Sequence, residues 1–397
     1  MTSQFNNPCL CSVIQKKILV KHEQYNERIM VKSKEITTFE SCLSLVHATL
    51  EWAENQDVNE LKRFLFTHPQ TPLYCVSSGG SSSALAYVSL LYSAYKGMAR
   101  MLTPLTFSSV SDEAIKNSKV LILSKSGEGV DVDYLTKRTL PLNAEHTAAI
   151  THVSEKGDNK LQKRLRKASS DCFVYDWEDH DGFIATISPF ALFGLFYKTF
   201  TGDTQFVQKL QLDQTPSACF NYRYLRGEDQ PAEFKDIKNY IVLYGGWGEP
   251  VAQDFESKMV EAGYASVQLC DYRNFCHGRF IFVSNNLENS ALVLLMTPRE
   301  QEFVRTLILE GTTIFGARPL FPDHTQLVTI DSEFDTPLAS VDLLYKESVL
   351  FAEIGKSFGY EPNKPVNKSK IDKQTPRNRK FPELVEKSGL KGLNIDE

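Results

Sequence analysis

The feature that most constrains this fold is an alternation of short apolar runs with longer helical stretches. The runs are β-rich and do not alternate with polar residues, which is typical of parallel strands covered on both faces. Four of them occupy the first half of the chain, at 71–78 (TPLYCVSS), 118–124 (SKVLILS), 147–154 (TAAITHVS) and 170–177 (SDCFVYDW). Helical stretches occupy 83–97, 156–168 and 181–200. This order predicts an α/β unit with a parallel sheet.

The same plan then restarts in the second half. The stretch NYIVLYGGWGEPVAQDFESKMVEAG (239–263) is again an apolar strand, a Gly-rich turn and an amphipathic helix. Later strands are predicted at 265–271, 290–298, 312–317 and 325–331, followed by a long helix at 337–359. The chain therefore divides into an N-terminal extension (1–40), a first domain (41–210), a connector (211–234), a second domain (235–362), and a C-terminal loop with a basic tail (363–397).

Composition narrows the class of protein. The chain has 397 residues and a net charge of −5, so its charge does not point to nucleic acid or to an anionic membrane as a partner. Its eight cysteines form no CxxC pair, and the single CxC (Cys9, Cys11) is weak evidence for a metal site. The chain has neither a run of roughly 18 apolar residues nor an apolar leader at its start. We expect a cytoplasmic protein without metal.

Two loops rich in small residues follow neighbouring predicted strands. The first contributes Gly80, Ser81 and Ser82, and the second contributes Ser124, Lys125 and Ser126, each just before a helix. Helix N-termini offer unsatisfied N–H groups and favour negative charge, and serine hydroxyls add donors. Neither the P-loop pattern nor GxGxxG is present. The loops therefore predict a phosphate monoester site, with an ordinary capped turn as the alternative for either loop alone.

The pattern strand–GGSSSA–helix followed by strand–SKSGEG–helix resembles the sugar isomerase (SIS) domain. The tandem arrangement, over about residues 40–375, is similar to the isomerase half of glucosamine-6-phosphate synthase and to fructosamine-6-phosphate deglycases. The resemblance implies two SIS subdomains, each a parallel sheet flanked by helices in a flavodoxin-like three-layer sandwich. It also implies a homodimer that binds a sugar phosphate and needs no cofactor.

The resemblance also implies catalytic residues. Glu261 matches the family's base, and His277, sixteen residues later, matches its ring-opening histidine, which acts across a dimer interface in related enzymes. Lys370, in the stretch GYEPNKPVNKSK, matches the family's C-terminal lysine. Thr186 and Asp254 are expected at the substrate cleft. Taken singly, each catalytic assignment has an ordinary alternative, such as a solvated helix glutamate or a loop histidine.

Some residues depart from the family pattern. Gly129 stands where a threonine is usual, and Arg279 follows His277-Gly278 where a proline is usual. Asp254 is one methylene shorter than the glutamate often found there, and Cys276 replaces a polar or basic residue. The polar cluster at 178–181 is expected to be a solvated loop more often than a part of the cleft. These departures leave the substrate open.

Three functions remain open on the sequence. An aldose–ketose isomerase of sugar phosphates and a fructosamine-6-phosphate deglycase use the same proton transfer. A non-catalytic sugar-phosphate sensor is the alternative, although a sensor would not need all three of Glu261, His277 and Lys370. No glutaminase domain and no helix-turn-helix segment precedes the first domain in this sequence. Glutamine-dependent amination and transcriptional regulation are therefore not expected.

Overall fold

The fold was analysed in a computed structural model that describes residues 38–68, 70–153, 157–213, 215–225, 231–306 and 324–363. Two five-stranded sheets form its framework, one in each half of the chain. None of the helices in these ranges is both long enough and apolar enough to cross a membrane. The strand predicted at 312–317 and the basic tail from residue 364 lie outside the described residues.

The first sheet is entirely parallel, with the strand order β2-β1-β3-β4-β5. Its strands are β1 Leu73–Val76, β2 Ala99–Leu102, β3 Lys119–Leu123, β4 Thr147–His152 and β5 Asp171–Tyr175. All five residues of β3 are buried, as expected for a central strand covered on both faces. The predicted α/β unit is thereby confirmed for the first half.

Nine helices of the described ranges belong to this half. They are α1 Phe39–Leu43, α2 Val46–Asn55, α3 Asn59–Phe66, α4 Ser82–Tyr95, α5 Pro104–Phe107, α6 Asp112–Lys116, α7 Val130–Asn143, α8 Lys160–Lys167 and α9 Ile187–Thr201. A 3₁₀ turn, Gly79–Ser81, leads into α4. α9 begins at Ile187 rather than at residue 181, because Asp181 lies in the preceding loop and caps the helix start.

The second sheet has the order β6-β10-β9-β7-β8. Its strands are β6 Asn221–Tyr224, β7 Asn239–Tyr244, β8 Ser266–Asp271, β9 Ser290–Met296 and β10 Gln326–Asp331. Four of them are parallel, whereas the edge strand β6 runs antiparallel to β10. An antiparallel edge strand on a parallel sheet is common in α/β proteins. The expected parallel sheet is therefore formed by four strands, and β6 adds an antiparallel strand at its edge.

The helices of the second half cover this sheet. They are α10 Pro216–Cys219, α11 Glu249–Glu261, α12 Tyr272–Asn274, α13 Phe280–Asn285, α14 Pro298–Val304 and α15 Leu338–Phe358. The 3₁₀ turn Gly246–Gly248 precedes α11, and the kinked segment Phe275–Arg279 links α12 to α13. The proposed domain limits stay a prediction, and β6 falls inside the range assigned to the connector.

A buried cluster of charges lies where the helices of the two halves meet. Lys258 on α11 lies 2.5 Å from Asp254 and 3.0 Å from Glu347 of α15, and it also donates to Ser348. Asp254 in turn accepts a hydrogen bond from Ser83 of α4. Burial lowers the pKa of Lys258, but the two carboxylates outweigh this effect and hold it above its ordinary value. The single positive charge of Lys258 thus compensates two buried carboxylates.

Replacing Glu347 with glutamine should change how stability depends on pH. Burial raises the pKa of Glu347 to about 7, because the compensating charge of Lys258 is shared with Asp254. A carboxyl whose pKa is raised on folding loses its stabilising effect as the pH rises from its ordinary pKa to the folded value. Between about pH 4.5 and pH 7, wild type should therefore lose on the order of 3 kcal/mol relative to Glu347→Gln.

Urea denaturation of both proteins across that pH range measures this difference. Glu353→Gln controls for the loss of a carboxylate from the same helix, since Glu353 is partly exposed and pairs with Lys356. A constant difference between wild type and Glu347→Gln at every pH would show that Glu347 does not titrate in this window.

Candidate functional site

A cavity of about 1150 Å³ opens at the carboxyl ends of β1, β3 and β4. Both loops rich in small residues contribute to its wall, through Gly80, Ser81, Ser124, Lys125 and Ser126. The other residues that line it are Ser77, Ser78, Ile122, Leu123, Glu128, Gly129, Asp131, Val132, Leu135, His152, Val153, Gly157, Asp158, Lys163 and Asp179. The structure thus brings together five of the six residues that the sequence predicts for phosphate binding.

The first loop approaches Ala185, in the segment before α9, so closely that it needs glycine. A Cβ on Gly80 would lie 2.7 Å from the Cβ of Ala185, and Gly79 has a φ of +70°. Ser82 begins α4, and its hydroxyl donates to the Gly79 carbonyl at 2.9 Å instead of lining the cavity. The loop therefore presents the N-terminus of a 14-residue helix to the cavity.

The second loop presents a second helix N-terminus. The Ser124 hydroxyl accepts from the Gly127 N–H at 3.2 Å, which tightens the turn before α7. Gly129 is the N-cap of α7, and its φ of −64° is open to any residue. A Cβ at Gly129 would meet no atom nearer than 3.9 Å, so the threonine usual in the family would fit here. Two N-termini of 14-residue helices thus border one cavity, an arrangement that favours an anion.

Lys125 is paired with acids of its own chain. Its Nζ lies 2.5 Å from Asp179 and 3.0 Å from Asp181, and its side chain is 33% exposed. Burial lowers the pKa of Lys125, but the two carboxylates outweigh this effect and raise it above its ordinary value. The positive charge that the sequence offers to a phosphate is therefore already compensated by two negative charges.

Asp181 connects this ion pair to the start of α9. Its Oδ1 accepts from the N–H groups of Thr186 and Ile187, at 2.7 and 2.5 Å, and its Oδ2 accepts from the backbone and hydroxyl of Ser188. Burial raises the pKa of Asp181, but Lys125 and these hydrogen bonds outweigh it and hold the pKa below the ordinary value. A single carboxylate thus caps a helix and fixes a loop of the cavity.

The two residues predicted for the cleft lie in the interior. Thr186 is fully buried beside Asp181, and Asp254 is buried between Ser83 and Lys258. Neither of them is among the residues that line the cavity. Asp254 nevertheless accepts a hydrogen bond from Ser83 in the first turn of α4, directly after the phosphate-loop residues. This contact fixes the helix start that borders the cavity.

The helices α4 and α11 pack against each other in opposite directions. Ser83 in the first turn of α4 donates to Asp254 in the middle of α11. Tyr87, one turn further along α4, donates to the carbonyl of Pro337 at the start of α15, and that end of α15 also bonds to Trp247 just before α11. The two helices α4 and α11 therefore pack antiparallel to each other.

This antiparallel packing brings the end of α11 to the side of the cavity. Glu261 is the last residue of α11, is exposed, and accepts from the Ser257 hydroxyl at 3.2 Å. The 3₁₀ turn Gly79–Ser81 contacts α11 directly. Glu261 does not line the cavity itself. Its helix α11 lies beside the first loop, through contacts with Ser83 and with the Gly79–Ser81 turn.

His277 and Glu261 flank opposite ends of the strand β8. His277 follows the carboxyl end of β8, in a kink where Gly278 has a φ of +104°, and it is exposed. Glu261 precedes the amino end of the same strand, which has six residues. Since a strand rises about 3.3 Å per residue, the six residues of β8 span about 20 Å. Glu261 and His277 therefore flank opposite ends of this strand within one chain.

The segment that leads to Lys370 starts beside the cavity loops. Asn363, the last described residue, accepts from the Ile184 N–H at 3.2 Å and packs against Gly182. Just before it, Glu361 accepts from the Phe39 N–H at 2.8 Å. Lys370 lies outside the described residues, seven positions beyond Asn363.

No protein-family model matches the sequence, and no curated protein matches it either. Solved structures match the fold over most of the chain. The tagatose-6-phosphate ketose/aldose isomerase of Escherichia coli has 11% identity and a TM-score of 0.57, with 83% of this chain and 95% of that chain covered. The fold is that of the tandem sugar isomerase (SIS) proteins.

Two further solved structures share the SIS fold with this chain. The C-terminal domain of the glucosamine-fructose-6-phosphate aminotransferase of Francisella tularensis has 13% identity and a TM-score of 0.55, covering 82% of this chain and 97% of that one. The glucosamine-6-phosphate deaminase of Thermotoga maritima has 15% identity and a TM-score of 0.55, with coverages of 80% and 97%. At these identities the likeness concerns the fold.

The sequence interpretation missed several residues of the cavity, and Asp131 and His152 are two of them. Asp131 lines the cavity and accepts from the Ser78 hydroxyl at 2.5 Å, so it joins the two loops. His152 lines it at the end of β4. Asp131 stands two positions after the Gly129 cap, where an acidic residue is common for dipole reasons alone. For His152, the only available signal was its place at the carboxyl end of a predicted strand.

Replacing Asp181 with asparagine should destabilise the protein. Asparagine keeps one acceptor but loses the ion pair with Lys125 and turns an N–H₂ toward other donors. We expect the free energy of unfolding to fall by about 2–3 kcal/mol at pH 7. Because the pKa of Asp181 is lowered on folding, this stabilisation is present above the ordinary carboxyl pKa and is lost as the pH falls.

Urea denaturation at pH 7 and at pH 3.5 tests both statements, since the gap between wild type and Asp181→Asn should narrow at the lower pH. Asp176→Asn is the matched control, because its side chain is 76% exposed and it lies in the same segment. Equal losses in the two variants would contradict the role given to Asp181.

Proposed function

We propose that this protein binds a sugar phosphate and transfers a carbon-bound proton, as an aldose–ketose isomerase or as a fructosamine-6-phosphate deglycase. One observation carries the proposal. The two serine loops, separated by about 45 residues in the sequence, meet at one cavity that two helix N-termini border. A cavity of this size would hold the phosphate at the loops and leave room for the sugar.

The phosphate would be held mainly by neutral donors. Backbone N–H groups of both loops and the hydroxyls of Ser81, Ser124 and Ser126 can donate to its oxygens. Lys125 is paired with Asp179 and Asp181, so we give it a structural role beside any weaker role toward the ligand. The helix N-termini supply the remaining attraction for negative charge.

The chemical step would be a proton transfer between adjacent carbons. In the proposed mechanism, the Glu261 carboxylate removes the proton from the carbon next to the carbonyl, which leaves an enediolate. It then returns the proton to the neighbouring carbon while a proton moves from one oxygen to the other, so that aldose and ketose interconvert with no net change in atoms. In the deglycase version, the corresponding enolamine forms from a fructosamine 6-phosphate, reprotonation of its neighbouring carbon gives an imine, and water hydrolyses the imine to release the amine.

His277 and Lys370 complete the proposal. His277 would move the proton that opens the sugar ring, and Lys370 would stabilise the negative oxygen of the enediol. Since Glu261 and His277 lie at opposite ends of β8, His277 would have to come from a second copy of the chain. The proposal therefore includes a homodimer with shared sites.

The first experiment is proton exchange in D₂O. The protein is incubated with fructose 6-phosphate, glucose 6-phosphate, glucosamine 6-phosphate and a fructosamine 6-phosphate, and NMR follows the protons on C1 and C2. We expect exchange with at least one compound, and release of the amine if the protein is a deglycase. Glu261→Gln should lower the exchange rate at least 100-fold, the usual contribution of a general base.

Glu256→Gln is the matched control, because it removes a carboxylate from the same helix without touching the proposed base. Loss of exchange in both variants would contradict the role of Glu261. Binding of a sugar phosphate without exchange in wild type would favour the non-catalytic sensor instead.

Mixing two inactive variants tests the shared site. Glu261→Gln and His277→Ala dimers should each be inactive, whereas co-expression gives mixed dimers with one intact site. In mixed dimers purified through both tags, activity should return to about half of the wild-type value, because one of the two sites is intact. The exchange assay on co-purified chains with two different tags measures this. No recovery in verified mixed dimers would mean that both residues act within one chain or not at all.

A further inference from the structure

Buried hydrogen bonds hold the second serine loop against the end of β4. Thr151, the next-to-last residue of β4, is fully buried, and its hydroxyl donates to the Lys125 carbonyl at 3.1 Å. The same hydroxyl oxygen accepts from the side-chain N–H₂ of Asn159 at 2.9 Å. A hydroxyl has a single proton, so accepting from Asn159 leaves that proton free for Lys125. These two hydrogen bonds form a chain that runs from Asn159 through Thr151 to the loop.

The orientation of the Asn159 amide is fixed by its place as the N-cap of α8. Its Oδ1 accepts from the Gln162 N–H at 2.9 Å, and its own N–H donates to the Gln162 side chain at 2.6 Å. Because Oδ1 faces a donor, the N–H₂ group of the same amide faces the other way, to Thr151. Asn159 is 2% exposed, so the amide is shielded from solvent in this orientation.

The loop also packs on the start of α8. Gly127 has a φ of +63°, and a Cβ at this position would collide with the amide of Asn159. The Gly127 carbonyl accepts from the Leu161 N–H at 3.0 Å, and the Glu128 carboxylate accepts from the Lys160 N–H at 3.0 Å. N–H groups of a first helical turn have no partner within the helix. The loop therefore supplies acceptors to the start of α8, beside the same asparagine that reaches Thr151.

This chain of hydrogen bonds sets the direction of one peptide group in the loop. The Lys125 carbonyl accepts from the Thr151 hydroxyl and from the His152 N–H, each at 3.1 Å, so it points to the end of β4. In a trans peptide the C=O and N–H groups point in opposite directions, and the described residues contain no cis peptide. The Ser126 N–H therefore points away from β4. It makes no hydrogen bond within the described ranges, and Ser126 lines the cavity.

We infer that Thr151 and Asn159 are positioning residues for anion binding at the second serine loop. They hold the Lys125 carbonyl at the end of β4, which keeps the Ser126 N–H available to an oxygen of the ligand and keeps a carbonyl oxygen from turning toward it. Neither residue lines the cavity itself. The statement about anions rests on the proposed function, whereas the statement about the loop stands without it.

Substitutions at Thr151 separate the hydroxyl from the packing. Thr151→Val replaces the hydroxyl with a methyl group and removes the donor to Lys125, whereas Thr151→Ser keeps that donor. Thr147→Val is the matched control, because Thr147 is equally buried at the other end of β4 and its hydroxyl donates to the Asn143 carbonyl at 2.6 Å. The control thus loses a buried hydroxyl from the same strand without touching the loop.

Hydrogen exchange of the Leu161 N–H tests the loop without a ligand, since this group donates to the Gly127 carbonyl. We expect its protection, relative to amides of β3, to fall about fivefold in Thr151→Val, which corresponds to the loss of one neutral hydrogen bond. Thr151→Ser and Thr147→Val should keep the wild-type protection. Unchanged protection in Thr151→Val, or an equal fall in Thr147→Val, would overturn the positioning role.

Asn159→Ser tests the other end of the chain. Serine caps a helix about as well as asparagine, but it has no N–H₂ group for Thr151. Protection of the Leu161 N–H should therefore fall as it does in Thr151→Val, while amide exchange in the last turn of α8 stays unchanged. The double variant should lose little more than either single variant, because both changes break the same chain. Additive losses would show that Asn159 acts on α8 alone and would overturn its role toward the loop.

Calorimetric titration with fructose 6-phosphate measures the effect on anion binding. We expect the dissociation constant to rise about fivefold in Thr151→Val and to stay near the wild-type value in Thr151→Ser and Thr147→Val. In turnover, Thr151→Val should raise KM and leave kcat nearly unchanged, because the loop holds the phosphate and not the reacting carbons. Wild-type affinity in Thr151→Val would overturn the role in binding. If wild type binds no sugar phosphate, the proposed function fails, and the exchange of Leu161 still decides whether the two residues position the loop.

Discussion

The antiparallel packing of α4 against α11 decides where the candidate site residues can lie. Each helix follows a strand of its own sheet, so its N-terminus lies at the carboxyl edge of that sheet. When the two helices run in opposite directions, the C-terminus of α11 comes to the edge where the first sheet has its cavity. Glu261 ends α11, the helix beside the first loop, whereas His277 follows the carboxyl end of β8 in the second sheet. The shared site that we propose would take these two residues from two chains.

Burying the charges that join these helices costs free energy, and their pairing restricts how the helices can pack. A lysine and two carboxylates lose their hydration on burial, and one cation cannot satisfy both acids fully. The Glu347 carboxyl shows this in its raised pKa and in its Oε1, which has no hydrogen-bond partner within the described ranges. A hydrophobic contact would permit several helix registers, whereas Lys258 between Asp254 and Glu347 permits few. We attribute the orientation of α11, and hence of Glu261, in part to this cluster.

The sequence predicts the parts of the fold that depend on local pattern. The buried strands β3 and β9 were found because all their residues are apolar or covered, and the two serine loops because each directly follows a strand. The edge strands β2 and β6 were not found, since most of their residues are only partly buried or exposed and they carry no apolar run. Convergence of the two loops on one cavity also follows from the parallel sheet, whose strands end at one edge.

The charge balance of the cavity could not be predicted in the same way. In the sequence, Lys125 stands between two serines, which favours a role as a phosphate ligand. Asp179 and Asp181 lie more than 50 residues further along the chain, so their effect on Lys125 is not evident from the sequence. Only the fold brings these acids to Lys125. Once they compensate it, attraction for an anion depends on the two helix N-termini and on neutral N–H and O–H donors, which carry partial charge. A cavity built in this way holds a phosphate by directed N–H and O–H donors more than by net charge, so its selectivity comes from geometry.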